Sequence, residues 1–274
     1  MTLVNALLFY IFIALLLILN IFFPTLTVAF FVYEALIFLA FLLYMIEKKK
    51  FKWGRKGIGF AALLAFALIT AIFGIEVSFR LIAVQHLEPD FYVLLILPLV
   101  FQIFVSIGEE ISFRGYILPG IADDIGVKSG IVASSLMFSV IHIPSMLISD
   151  ISTVNGVFMF MTLTLGGVVM AMLYLKYGLA SSISFHFVWN FMQYHVYSMG
   201  GYFVEIKQIL EVNYTSIPIL TGGVCRDWYC GPEASILGVA MMVVGVVVVF
   251  IVTRRKKHES TETTGLHQSD TENK

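Results

Sequence analysis

Glu109 and Glu110 are adjacent carboxylates, and Arg114 follows four residues after the second, in the run Glu109-Glu110-Ile111-Ser112-Phe113-Arg114. The run closes an apolar stretch from Phe91 to Gly108. A charge at the centre of a bilayer costs roughly 2.5–3.5 kcal/mol on insertion scales, so three in six residues need a reason. Two further groups match them in kind. One is Phe138-Ser139-Val140-Ile141-His142, with Pro144 just beyond; the other is His186-Phe187-Val188-Trp189-Asn190. A carboxylate sheltered from solvent can act as general base on water, and a histidine beside it can share the proton transfer. A His and an Asn four apart lie on one helix face and can donate hydrogen bonds to a developing oxyanion. Asn is a poor base, which favours that role for Asn190. No G-x-S-x-G nucleophile elbow is present. The set therefore fits hydrolysis by an activated water. A second chemistry uses the same residues: Glu109, His142 and His186 could hold zinc with water in the fourth position, although no H-E-x-x-H occurs.

The elements that must position these groups are membrane helices. The chain has 274 residues, of which 59% are hydrophobic and 13% charged, and its mean hydropathy is +0.93. Such a composition excludes an ordinary soluble domain, and the short alternating segments of a β-barrel are missing. An all-α polytopic bundle of about eight spans is expected, at roughly 3–23, 26–46, 58–78, 91–113, 130–148, 156–174, 178–198 and 234–252. Residues 1–253 then form one transmembrane domain. Residues 254–274 form a polar tail, poor in hydrophobic residues and expected to be disordered. The first segment has no basic residue ahead of it and is expected to be a retained helix, not a cleaved signal.

Basic residues orient the bundle. Lys48, Lys49, Lys50, Lys52, Arg55 and Lys56 follow the second span, and Arg254 to Lys257 follow the eighth. With eight spans both clusters fall on one side, which places both termini in the cytoplasm. Fourteen of the 17 Lys and Arg lie there, with Arg114, Lys128 and Lys176 among them; Arg80, Lys207 and Arg226 lie opposite. The long outer loop from Met199 to Glu233 carries the only cysteines, Cys225 and Cys230, either a disulfide or two thiols. It also carries the sequon Asn213-Tyr214-Thr215.

Three predicted helices bear polar stripes. Gln102 and Ser106 precede Glu109 and Glu110 at three- and four-residue steps; Ser182 and Tyr194 extend the His186/Asn190 face. Lipid cannot satisfy such stripes, so they must face one another or a wet cavity. The bland alternative, a membrane-edge ion pair between Glu110 and Arg114, does not account for the polar approach to it. Trp189, Phe187 and Phe185 read as packing, His195 as incidental, and Glu34 has no assignment.

At these residues the chain resembles the CAAX protease and bacteriocin-processing family, which includes the type II CAAX prenyl endopeptidases. The motifs are EEISFR at 109–114, FSVIH at 138–142 and HFVWN at 186–190, and the resemblance covers about residues 91–198. It implies an intramembrane glutamate-dependent endopeptidase. Glu109 would activate water with help from His142, His186 and Asn190 would form the oxyanion hole, and Glu110, Arg114 and Phe138 would support the site. It also implies no metal cofactor, a cavity open to the cytoplasm, and placement in a prokaryotic cell membrane. The partners would be the lipid bilayer and a membrane-associated peptide or protein, with prenylated CaaX chains among the candidates and no nucleic acid. A scaffold or bacteriocin-immunity protein that keeps the fold without catalysis is the alternative, and a proton-coupled transporter ranks below it.

Overall fold

A computed structural model describes the chain except for residues 1, 48–50, 89–90, 201–207, 215–216, 226–227 and 270–274. Side chains at 91, 94, 228 and from 255 onward also lie outside the description. Several residues used above to orient the bundle (Lys48, Lys49, Lys50, Lys207, Arg226 and Lys274), together with Thr215 of the sequon, therefore lie outside the described residues.

The protein is a helical bundle. Its long helices are α1 (Leu3–Phe22), α2 (Leu26–Ile46) and α3 (Ile58–Ser78), then α5 (Ile96–Glu110), α7 (Val127–Val140), α9 (Thr153–Tyr177) and α12 (Ile236–Ser269). Shorter helices fill the connections: α4 (Phe91–Leu94), α6 (Leu118–Ile125), α8 (Ile143–Ile148), α10 (Leu179–Asn190) and α11 (Pro218–Thr221). Strands β1 (Ile82–Leu87) and β2 (Leu210–Tyr214) pair antiparallel, with Ile82 opposite Tyr214. Strands β3 (Val224–Cys225) and β4 (Trp228–Tyr229) form a small hairpin, and the Cys225–Cys230 disulfide closes it. The sequence left that pairing open; the structure forms it.

Local chemistry sets the helix starts. Pro24 ends α1, and Thr25 then caps α2 by accepting from the Val28 amide at 3.3 Å. Thr2 caps α1 through the Asn5 amide in the same way. The turn into α10 needs glycine. Gly178 has φ +99°, and a Cβ there would sit 2.6 Å from the Trp53 carbonyl oxygen. That close approach lets the amides of Leu179 and Ala180 donate to the carbonyls of Lys52 and Trp53 at 2.7 and 2.9 Å, which fixes where α10 begins.

Among the described residues, seven helical stretches are long and apolar enough to cross a membrane, so the protein is an integral multi-pass membrane protein. Large apolar side chains such as Phe22, Phe38 and Leu63 cover its perimeter. The eighth expected span is present as α10 and a π-helical continuation, Phe191–Val196, but it is too polar to qualify by composition. It carries Ser182, His186, Asn190, Gln193 and His195 and is buried against α3, α9 and α5, where lipid does not reach it.

The fourth span corrects a boundary. It does not end near Phe113. It continues through a π-helical segment, Ile111–Ile117, into α6, giving one run of 30 residues from Ile96 to Ile125. Of its apolar window 61% is buried, against 17% to 39% in the other six. This is the central helix. Glu109, Glu110 and Arg114 lie at its middle, and Arg114 leaves the set of loop charges used for orientation. The fifth span breaks after Val140, and Pro144 starts α8, so His142 stands at the break. Helix α12 extends to Ser269, into the tail for which the sequence suggested disorder. Glu34, unassigned from sequence, lies on the exposed side of α2.

Candidate active site

Glu110 is the most constrained residue of the central helix. It is fully buried, and Arg114 Nη1 donates to its Oε1 at 2.8 Å. The i,i+4 spacing, with the acid first, predicts this pair. Arg114 Nη2 reaches on to the Gly167 carbonyl of α9 at 3.3 Å, and the guanidinium stacks 4.6 Å over the Phe138 ring. On its other side Glu110 engages α10: His186 Nδ1 lies 3.0 Å from Oε1, and Ser182 Oγ donates to Oε2. The carboxylate and its arginine together thus join three helices, and Phe138 supports the arginine from a fourth.

Glu109 has a different environment. Its Oε1 accepts from Tyr33 of α2 at 3.3 Å, and its Oε2 lies 3.8 Å from His186 Nε2. It lines a cavity of about 200 Å³ shared with Phe138, His142, His186 and Asn190. The structure therefore brings together in one space the carboxylate, both histidines, the asparagine and the phenylalanine singled out from sequence. Glu110 and Arg114 lie behind that wall and not in it. The polar stripes do meet, as lipid exclusion requires.

Partner chemistry fixes the tautomers. His142 Nδ1 lies 2.7 Å from the Phe138 carbonyl, which can only accept, so Nδ1 carries the proton and Nε2 is left to accept one. His186 Nδ1 faces the Glu110 carboxylate and is likewise a donor, while Nε2 turns toward Glu109. Both ring orientations come from the hydrogen bond on the far nitrogen.

Sequence reasoning missed three features. His195 is not incidental: it is buried, and its Nε2 lies 3.0 Å from Gln102 Nε2, so Gln102 joins α5 to the α10 continuation. Trp189 is more than packing. Its Nε1 donates to Glu233 Oε1 at 3.1 Å, and Tyr194 donates to Oε2 at 2.8 Å. Glu233 comes from a short 3₁₀ turn, Pro232–Ala234, before α12, and it lines the same cavity as Glu109. Its partners lie 44 and 39 residues away in sequence, so no local spacing could reveal it. Glu76, buried in α3, was also passed over. Among the described residues, the one His/Glu group with three potential ligand atoms within 4.8 Å of one another is His86, Glu88 and Glu211, at the β1–β2 pair and outside the cavity.

No curated protein matches the chain. Residues 91–192 match the family model for type II CAAX prenyl endopeptidase Rce1-like proteins, a stretch that holds all three motifs and ends two residues beyond Asn190. Over that stretch the chain is similar to the Rce1-like family of CAAX-type membrane proteases.

Proposed function

We propose that the protein is an intramembrane endopeptidase in which Glu109 activates water without a metal. The observation that carries this reading is the unequal partnering of the two glutamates. Glu110 is bonded to Arg114, Ser182 and His186, whereas Glu109 accepts one hydrogen bond, from the neutral Tyr33 hydroxyl, keeps His186 Nε2 at 3.8 Å and faces the cavity. A carboxylate free of a tight cation keeps basicity toward water.

In the proposed reaction, Glu109 takes a proton from water, with His142 Nε2 as the second acceptor on that side of the cavity. The water oxygen bonds to the substrate carbonyl carbon. The resulting oxyanion accepts hydrogen bonds from the Asn190 amide and from His186 Nε2, which donates when the ring is doubly protonated between Glu110 and Glu109. Collapse breaks the C–N bond, and the proton held by Glu109 passes to the leaving amine. The substrate is a peptide bond near the C-terminus of a membrane-associated protein. The apolar cavity wall, with Met146, Met159 and Leu163, suits a lipid-modified chain such as a prenylated CaaX protein.

The metal-free reading is supported by the spacing of the three candidate ligands: among the described residues, Glu109, His142 and His186 do not bring one ligand atom each within 4.8 Å of one another. The cavity opens to the cytoplasm in this proposal, with both termini on that side and the protein in a prokaryotic cell membrane. Purified protein and E109Q, presented with prenylated and unprenylated C-terminal peptides, test activity and substrate class together. Wild type should cleave and E109Q should lose cleavage. Equal cleavage by the two would refute the assignment. Elemental analysis and a chelator challenge test the metal: cleavage should survive chelation. Absence of cleavage with an intact cellular phenotype in E109Q would favour the scaffold reading.

A further inference from the structure

The helix carrying His186 and Asn190 is gripped by a carboxylate at each end. At one end Glu110 holds Ser182 and His186. At the other, Glu233 holds Trp189, the residue before Asn190, and Tyr194, four residues beyond it. Within the second grip, between Trp189 and Tyr194, the backbone changes from α to π immediately after Asn190. A π turn is a poorer hydrogen-bonded geometry than an α turn and persists when its surroundings hold it.

Glu233 is itself anchored. Asn155 of α9 donates through one Nδ2 to the carbonyls of Pro218 and Ala234, both at 2.7 Å, and so pins the segment on either side of the disulfide hairpin. Ser235 caps the start of α12 by accepting from the Gly238 amide at 3.2 Å. The carboxylate thus enters the cavity from a fixed base. Its hydrogen-bond donors are both neutral, and the charged or titratable groups on its cavity side are His142, His186 and Tyr194. His186 is faced in turn by Glu109, Glu110 and Arg114.

We infer that Glu233 is a positioning residue for the reaction: by holding Trp189 and Tyr194 it aims the Asn190 amide at the oxyanion. The inference rests on the function proposed above and extends it to a segment outside the family match, residues 91–192. Glu233 acts through Asn190, so its contribution must vanish when Asn190 is gone.

The test is a double-mutant cycle with kcat and KM measured on the cleavable peptide, using full-length protein in detergent or nanodiscs. E233Q keeps the side-chain volume but replaces one acceptor oxygen with a donor. It should lower kcat about tenfold, with KM unchanged within about twofold, as expected when a catalytic group is misaimed and binding is kept. In the N190A background the same substitution should cost nothing further. An equal loss in both backgrounds, or no loss in the wild-type background, overturns the inference. Y194F removes one donor and keeps the carboxylate; it should show a smaller loss with the same dependence on Asn190, which keeps the test decisive if E233Q is recovered poorly. E109Q, run in parallel, separates the failures. Activity lost in E109Q with E233Q unimpaired removes the positioning role alone; activity retained in E109Q removes the reading of the site beneath it.

Discussion

Glu110 and Glu233 do the same mechanical job in opposite ways. Both are buried carboxylates that hold one helix, α10 with its π continuation, from either end. Glu110 sits in the central helix, takes a guanidinium four residues away and is balanced by charge. Glu233 sits on a disulfide-bearing segment, and its hydrogen bonds come from an indole and a phenol. A charged pair made within one helix is strong and costly to break. A carboxylate held by neutral donors depends on the loop that delivers it. The family-matched end of the site is thus self-contained, and the other end is delivered from outside it.

The sharpest way to break this contrast is to remove the cation. R114M leaves Glu110 buried with no guanidinium, and loss of one partner of a buried pair costs about 3–5 kcal/mol. Thermal melting should show that loss, and E110Q/R114M should recover part of it. An R114M protein that melts like wild type would erase the distinction. A smaller effect is expected at the other end. C225S/C230S frees the hairpin, and the short loop closed there is worth about 2 kcal/mol in the denatured-chain account. Melting with and without reductant measures it, and the cost should fall on the Glu233 side, with the Glu110 network intact.

The smallest effect concerns pH. Glu233 lies outside the seven spans, and burial pushes its carboxyl above the usual range, against hydrogen bonds from Tyr194 and Trp189 that favour the charged form. As pH rises past the ordinary carboxyl value the unfolded chain loses this proton first, while the folded chain keeps it. Stability from this group is therefore full at acid pH and declines as pH climbs toward the raised value. Relative to E233Q, wild type should melt highest at acid pH, with the gap narrowing by about 1 kcal/mol or less as pH rises. A gap that widens with pH would mean that the carboxylate is stabilised in the charged form.

Much of the first grip was legible in the sequence because it is local. Glu110 to Arg114 and His186 to Asn190 are four-residue steps, and a helix turns such steps into one face. The long apolar runs likewise announced the bundle. Two things escaped for physical reasons. The span bearing His186 is too polar to look like a membrane helix, since its neighbours, not lipid, surround it. Glu233 reads as a lone acid in an outer loop because its role comes from contacts that only the tertiary fold creates. The sequence also ended the fourth span near Phe113, because the apolar run stops at Gly108; the helix continues to Ile125.

The two π segments carry a consequence for how such chains diverge. One begins inside a motif, Ile111–Ile117 after the double glutamate and holding Arg114, and the other follows directly on one, Phe191–Val196 after Asn190. A π turn accommodates one residue more than an α turn, so each segment holds one residue that an α-helical path would not need. Removing that residue would let the helix close to α geometry and would turn everything beyond it by about 100° relative to the motif. Upstream, this would swing α6 away from α7. Downstream, it would carry Tyr194 off Glu233. Chains that differ by one residue at these two places should therefore differ in which face leaves the site.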